Sequence, residues 1–245
     1  MNLAKNIYKP CFLLVITALL SVGCGKKKEV TPAQETGTVT DQDGNVYRTV
    51  KIGSQWWMAE NLKAKTFANH DSITNAQLDA DWTTPTSAYC LYDKNDRAPG
   101  LLYNWYAVAD GRKIAPPGWH IPNDDEWKTL EQQLGMSGTD ANKVSWRGSS
   151  EGNKLKIASP EGWTINKNVW ATNETGFTAL AGSCRLFNGK WGGNGGDLFH
   201  TGFWWSTTEH DEAMSWYRYL DYQKSGVFRF YADKRYGCSI RCIKD

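Results

Sequence analysis

Aromatic side chains dominate the apolar residues of this chain, which contains 13 Trp, 11 Tyr, 8 Phe and 23 Gly among 245 residues. Aliphatic residues are comparatively sparse, so long Leu-rich helices cannot supply the core. Because each aromatic ring buries a large area, the composition predicts a loop-rich domain of short strands around an aromatic core. It also favours ligand binding, since Trp and Tyr combine apolar surface with a polar group.

The first 23 residues have the pattern of a cleavable export signal. Lys5 and Lys9 precede an apolar run at 11–20 that is too short to span a membrane, which takes about 20 apolar residues. The string SVGC at 21–24 resembles the lipobox of bacterial lipoproteins, with Ser21 where Leu is usual. We therefore predict cleavage before Cys24 and lipid on its thiol. The alternative is an ordinary secretory signal in which Cys24 has no role.

Residues 24–37 are polar and lack aromatic residues, which predicts a lipidated cysteine followed by a flexible tether. A lipid on Cys24 would make the membrane a partner without a transmembrane helix. The residue after Cys24 is Gly25 rather than Asp. By resemblance to lipoprotein sorting rules, this favours the outer membrane. Both its periplasmic and its cell-surface face stay open.

The mature chain is close to electrically neutral. Removing Lys5 and Lys9 with the signal lowers Lys+Arg from 28 to 26, which equals the 26 Asp+Glu. A nucleic-acid partner would require a basic face, so none is predicted. The residues from 38 to 245 suit one domain with a sizeable core.

Four cysteines remain once Cys11 leaves with the signal and Cys24 takes the lipid: Cys90, Cys184, Cys238 and Cys242. In an exported protein they imply two disulfides, for which three pairings exist. Cys238 and Cys242 are spaced to reach distant partners rather than each other. We predict Cys90–Cys242 and Cys184–Cys238, although the sequence does not decide among the pairings.

Local patterns predict one clear helix and several strands. Asn123 with Glu126 forms a capping box, Trp127, Leu130 and Leu134 form one apolar stripe, and Gly135 marks the helix end. A second, weaker helix is predicted at 140–146. Strands are predicted at 46–52, 55–59, 203–206, 216–220, 226–231 and 238–243, with Asp43-Gly44 and Gly53-Ser54 as two-residue hairpin turns. The apolar run 101–108 is either a strand or a short helix.

Catalytic and metal-binding signatures are lacking in the sequence. The four histidines show no metal-ligand spacing, and neither a nucleophile elbow nor a phosphate-binding loop occurs. We therefore predict no cofactor, no metal site and no enzyme activity. Trp191, Asn194, Asp197 and His200, in and around a Gly-rich segment, are the candidate ligand-binding residues. Such residues can stack against sugar rings and bond to their hydroxyls, although core tryptophans are the alternative interpretation.

Eight ordered strings give the sequence a family resemblance. They are DGNVY (43–47), WMAENL (57–62), LYNWYAV (102–108), GWHIP (118–122), DEW (125–127), GFTAL (176–180), WWST (204–207) and SIRC (239–242). In this order they resemble the Fibrobacter succinogenes major paralogous domain of exported bacterial proteins. That family has no known biochemical function, so the resemblance implies a fold and a location rather than an activity.

A more distant resemblance concerns the fold. Ile121-Pro122 followed by DEW, and the final SIRC, are similar to segments of formylglycine-generating enzymes, whose fold is a C-type lectin variant. The resemblance implies an α+β, C-type-lectin-like domain with small antiparallel sheets, one or two short helices and disulfides. It is an analogy of fold and says little about function.

Three functions follow from these observations. We predict a membrane-anchored binding or surface module, with glycans as the expected ligands. One alternative is a cysteine- and copper-dependent enzyme of the formylglycine-generating type, and another is an adhesive protein that binds other proteins. An exposed row of aromatic rings would favour sugar, whereas a large flat apolar patch would favour protein.

Overall fold

The computed structural model describes residues 34–92, 99–192 and 199–245. Its strands are β1 (Thr36–Thr40), β2 (Val46–Ile52), β3 (Gln55–Met58), β4 (Thr74–Asn75), β5 (Ala88–Leu91), β6 (Leu101–Tyr103), β7 (Trp119–His120), β8 (Ser145–Arg147), β9 (Thr201–Glu209), β10 (Met214–Asp221), β11 (Val227–Asp233) and β12 (Ile243–Lys244). Its helices are α1 (Asp79–Trp82), α2 (Trp105–Val108), α3 (Asp124–Gln133), α4 (Gly138–Ala141) and α5 (Glu151–Leu155).

A five-stranded antiparallel sheet has the order β1-β2-β3-β12-β7 and joins the two ends of the described chain. Gly53 and Ser54 form the predicted turn between β2 and β3, and Gly53 has a φ of 61°. The turn predicted at Asp43-Gly44 is wrong as a two-residue type, because only Gly44 has a positive φ. β1 and β2 are instead joined by a longer loop in which the Asp41 carboxylate accepts hydrogen bonds from the backbone N–H groups of Asp43 and Asn45.

β1 also corrects the predicted domain boundary. Thr36 and Gly37, assigned to the tether, pair with Val50 and Thr49 of β2. Composition did not reveal this because the segment is polar, and its order comes from the partner strand. The predicted signal, lipidation site and remaining tether up to residue 33 lie outside the described residues.

A four-stranded antiparallel sheet, β8-β11-β10-β9, contains the longest strands. The predicted strands at 203–206, 216–220 and 226–231 are confirmed within β9, β10 and β11. The last predicted strand is confirmed only at Ile243, since Cys238 and Ser239 make isolated bridges to other segments. A third sheet, β4-β5-β6, includes one parallel pair, β4 with β5.

α3 begins and ends as predicted. The Asn123 side chain accepts a hydrogen bond from the Glu126 backbone N–H, and the Glu126 carboxylate accepts one from the Asn123 backbone N–H. Gly135 follows the helix with a φ of 112°. Trp127, Leu130 and Leu134 are buried. The predicted helix at 140–146 is wrong: α4 ends at Ala141, and residues 145–147 form β8 because they pair with β11.

The core is aromatic, as the composition predicted. Seven of the 13 tryptophans are buried: Trp57, Trp82, Trp105, Trp127, Trp163, Trp204 and Trp205. The segment 101–108 is both a strand and a helix, β6 followed by α2, because the Asn104 side chain caps α2. The predicted α+β class with small, mainly antiparallel sheets is confirmed, although the described residues form five helices rather than one or two. None of these helices is long and apolar enough to cross a membrane.

Candidate ligand-binding site

One face of the four-stranded sheet carries four aromatic rings, one from each strand, which we call the aromatic row: Trp146, Phe228, Tyr219 and Phe203. They are direct neighbours in the strand register. Successive ring centroids are 5.3, 5.7 and 4.6 Å apart. Because neighbouring strands lie about 4.8 Å apart, the row is about 14 Å long. All four side chains are partly exposed, and Phe203 also packs against the core cluster that contains Trp205.

The opposite face of this sheet is closed by an ionic network with α3. Arg147, Arg218 and Arg229 alternate with the rings along their strands and contact the carboxylates of Glu131 and Asp124. All five side chains are at most 7% exposed. Because α3 covers this face, the aromatic row lies on the other.

The charges in this network hold Asp124 in its ionised form. Burial would raise the pKa of the Asp124 carboxyl, but hydrogen bonds and charges from Arg229 and Arg218 outweigh burial and hold the pKa well below its usual range. Glu131 accepts from both Arg147 and Arg218 at 2.6–2.7 Å. The sheet face under α3 is therefore a structural ionic core.

Polar groups flank the aromatic row. The Tyr219 hydroxyl donates to the Asp221 carboxylate at 2.5 Å, and the Lys224 ammonium lies 6.0 Å from the Trp146 ring centroid. Burial and the hydrogen bond to Asp221 raise the pKa of Tyr219, so its phenol stays protonated. Tyr217 and Phe230, also partly exposed, continue the aromatic surface beside the row. Flat rings next to hydrogen-bonding groups suit a ligand with both apolar faces and hydroxyls.

The candidate residues around the Gly-rich segment are not part of this surface. Trp191 packs edge-on against Tyr92 and lies 5.5 Å from the Arg185 guanidinium, beside a small buried cluster. His200 packs against Tyr222 at 4.4 Å. Asn194 and Asp197 lie outside the described residues, so the structure does not bring the four predicted residues together.

The predicted disulfides are absent: Cys90, Cys184, Cys238 and Cys242 are free, buried thiols. Cys90 packs with Trp82 and Leu102, whereas Cys242 belongs to a different core cluster, so the predicted pairing of these two is wrong. The bridge between Arg185 and Gly237 places Cys184 and Cys238 opposite each other, but unbonded. Sequence spacing could not show which core cluster each thiol enters.

Burial raises the pKa of all four thiols, to about 11 for Cys90 and about 12 for Cys184. A catalytic or metal-binding cysteine acts as the thiolate, which burial in apolar surroundings disfavours. Within residues 34–92, 99–192 and 199–245, no group of three His, Cys, Asp or Glu side chains is placed to hold a metal ion.

His120 is held between two carboxylates. Its Nδ1 lies 2.6 Å from Asp245 and its Nε2 lies 2.9 Å from Glu126. Burial would lower the pKa of His120, but the two hydrogen-bonded carboxylates outweigh it and raise the pKa. With both ring nitrogens engaged, His120 links Asp245 to α3 through hydrogen bonds.

A model of the Fibrobacter succinogenes major domain matches residues 50–244. The chain belongs to this family. No curated protein and no solved structure matches the chain. The family name specifies no ligand or activity, so function must be argued from the site.

Four of the eight strings that resemble the Fibrobacter succinogenes major domain meet at a buried polar hub, which consists of Asn61 and Arg241. The Asn61 side chain accepts from Arg241 Nε at 2.6 Å and from Trp204 Nε1 at 2.9 Å, and it donates to Ser239 Oγ. Arg241 also donates to the backbone carbonyls of Met58, Phe177 and Thr178. Four of the eight strings therefore contact one another here, and their polar residues stabilise the fold.

The aromatic row lies outside all eight strings of the Fibrobacter succinogenes major domain, and sequence reasoning missed it. A signal was present in the alternating aromatics of three segments: Phe203 and Trp205, Tyr217 and Tyr219, Phe228 and Phe230. Alternation by two places such rings on one face of each strand. Which face α3 would cover depended on the arginines between them, which bind its carboxylates.

Proposed function

We propose that this member of the family is an exported lipoprotein, anchored in the outer membrane through Cys24, whose domain binds glycan chains on the aromatic row. The observation that carries the proposal is one partly exposed ring from each of four neighbouring strands. Its periplasmic or cell-surface location and its C-type-lectin-like architecture belong to the same proposal.

A glycan suits the row better than a protein partner does. The row extends for about 14 Å across four strands and is two rings wide where Tyr217 and Phe230 flank it, whereas a standard protein interface buries about 800 Å² on each partner. Tyr219, Asp221 and Lys224 offer donors and acceptors along it. A pyranose chain presents apolar C–H faces and hydroxyl edges, which fit rings and polar groups in alternation.

The enzyme alternative has less support. An oxidase that uses paired cysteines needs accessible thiolates, and the four cysteines described here are buried, with raised pKa values. The adhesive alternative remains an outcome of the binding experiment.

The glycan proposal predicts that Trp146→Ala weakens polysaccharide binding at least about tenfold, or ~1.4 kcal/mol. Trp146 lies on the edge strand β8 and belongs to none of the buried clusters, so removing its ring should not open the core. The measurement is affinity electrophoresis of the full-length protein against a panel of soluble polysaccharides, followed by calorimetry on those that bind.

Trp191→Ala is the matched control, because it removes a partly exposed Trp outside the row. We expect it to leave binding unchanged. Loss of binding in Trp191→Ala with retention in Trp146→Ala would move the site to the Gly-rich segment. Retention of binding in both variants, or no polysaccharide binding by the native protein, would contradict the proposal.

The anchoring proposal predicts that the mature chain begins at an acylated Cys24. Mass spectrometry of the N-terminal peptide should show the added lipid, and the protein should enter the detergent phase on Triton X-114 partitioning. Cys24→Ser should abolish both results, because no thiol remains to accept the lipid. An unmodified Cys24 in membrane-associated native protein would show that another feature provides the anchor.

A further inference from the structure

A second surface feature is a cleft of about 210 Å³ beside a short hairpin at residues 164–171, which we call the cleft hairpin. At the turn of the hairpin, the backbone N–H of Val169 donates to the carbonyl of Asn166. The backbone N–H of Thr164 donates to the carbonyl of Phe199. The antiparallel bridge between Asn166 and Val169 places Ile165 opposite Trp170. These two apolar side chains are 71% and 70% exposed.

Such exposure is unusual in this protein, since Trp170 is the one exposed residue among its 13 tryptophans. The pair forms one wall of the cleft, and Tyr222, supported by His200, lines it as well. The Trp163 ring also lines the cleft, and its Nε1 is fixed by a hydrogen bond to the Ala179 carbonyl. Apolar walls around a concave space are typical of a small-ligand site.

Lys156 gives the cleft a positive charge. Lys156 is one of the residues that line the cleft, is 1% exposed, and has its ammonium 5.3 Å from the Trp163 ring centroid. The ammonium donates to the backbone carbonyls of Asp221 and Lys224 at 2.5 Å and lies 3.4 Å from Asn153 Oδ1. These three partners are neutral. The Lys156 ammonium therefore has its hydrogen bonds satisfied, but no direct ion pair neutralises its charge.

Neighbouring charges do not remove this positive potential. The Asp221 carboxylate attracts the Lys156 charge but is bound to Tyr219 and to the backbone N–H of Gln223. Burial lowers the pKa of Lys156 to about 8, which leaves it mainly protonated at neutral pH. Lys167 in the hairpin turn adds an exposed positive charge, and Glu161 an exposed negative one.

We propose that the cleft binds a ring-sized carboxylate, with the flat face of its ring against Trp170 and Tyr222 and its charge oriented towards Lys156. The volume of about 210 Å³ suits an occupant of roughly one ring. Charge complementarity selects an anion, because a buried cation without a direct counter-ion favours one. A uronic acid residue and an aromatic carboxylate share this chemistry. The inference does not depend on the aromatic row.

The test is a titration of the full-length protein with sodium glucuronate, sodium benzoate and neutral glucose, followed by saturation-transfer NMR. We expect at least one carboxylate to bind about tenfold more tightly than glucose, a difference of ~1.4 kcal/mol. Preference for glucuronate would identify a uronic acid site, and preference for benzoate an aromatic acid site. Equal binding of glucose, or no saturable carboxylate binding, would overturn the proposal.

Variants locate the site. Trp170→Ala removes an exposed ring and should weaken carboxylate binding at least about tenfold without affecting folding. Trp146→Ala, in the aromatic row, should leave it unchanged, so failure of this proposal is distinguishable from failure of the glycan proposal. Lys156→Gln keeps donors for the two carbonyls but removes the charge, and should abolish the preference over glucose. If Lys156→Gln does not fold, the proposal is tested by the comparison of the carboxylates with glucose and by the Trp170→Ala variant. Carboxylate binding that Trp170→Ala leaves intact would overturn the assignment.

Discussion

Glu131→Gln is expected to lower the free energy of unfolding by about 3–5 kcal/mol, the usual cost of leaving a buried charge without its partner. Glu131 is fully buried and accepts from Arg147 through two nitrogens and from Arg218 through Nε. Glutamine preserves the volume but removes the charge, so Arg147 loses its carboxylate partner and Arg218 keeps only Asp124. The amide N–H groups of the glutamine would also face the guanidinium N–H groups of Arg147 and Arg218, which cannot accept hydrogen bonds. Denaturant unfolding at neutral pH measures the change through the shift in midpoint.

The matched control is Glu60→Gln, which removes the same charge from an exposed pair. Arg48 and Glu60 lie 2.7 Å apart, but their side chains are 65% and 28% exposed. Surface pairs contribute about 0–1 kcal/mol because water and salt screen them. If the two variants shift the unfolding midpoint equally, the network under α3 does not stabilise the fold in the way its geometry indicates.

The sequence predicted those elements whose signals are local. The capping box of α3 lies within four residues, and the Gly53-Ser54 turn joins adjacent strands. Both are confirmed because capping and turn chemistry act between near neighbours. The burial of Asp124 and Glu131 on the same helix was missed, since their partners come from β8, β10 and β11.

Trp146 shows why the candidate site was not predictable. A three-residue strand is too short to display alternation, so the segment was assigned to a helix. Its strand character comes from pairing with β11, far along the chain. The ligand-binding residues were predicted in the Gly-rich segment from its composition alone. In the structure, Trp191 and His200 pack against other side chains.

The residues that form the structural scaffold and those that form the candidate binding surfaces therefore come from different parts of the sequence. The eight strings that resemble the family supply the buried hub, Glu126 of the α3 cap and core tryptophans, whereas the aromatic row and the cleft hairpin lie outside them. This separation agrees with the general rule that binding sites are placed on a fold rather than dictated by it.

Arg241→Met is the decisive test of that scaffold, with an expected loss of at least about 3 kcal/mol of unfolding free energy, because each buried acceptor left without a donor costs about 1–3 kcal/mol. Arg241 is fully buried and donates to Asn61 and to three backbone carbonyls from two distant segments. Methionine fills much of the volume but donates nothing. Arg241→Lys should recover only part of the loss, because one ammonium lacks the planar set of five donors.

The control is Arg235→Met, which removes an equally large cation from a partly exposed position. Arg235 contacts only the nearby Asp233 among its side-chain hydrogen bonds, and its side chain is 36% exposed. We expect a change below about 1 kcal/mol, measured in the same denaturant titration. The hub joins residues 180 positions apart, so its loss should also reduce the cooperativity of unfolding between the first and last strands. An Arg241→Met variant as stable as Arg235→Met would mean that apolar packing alone holds these segments together.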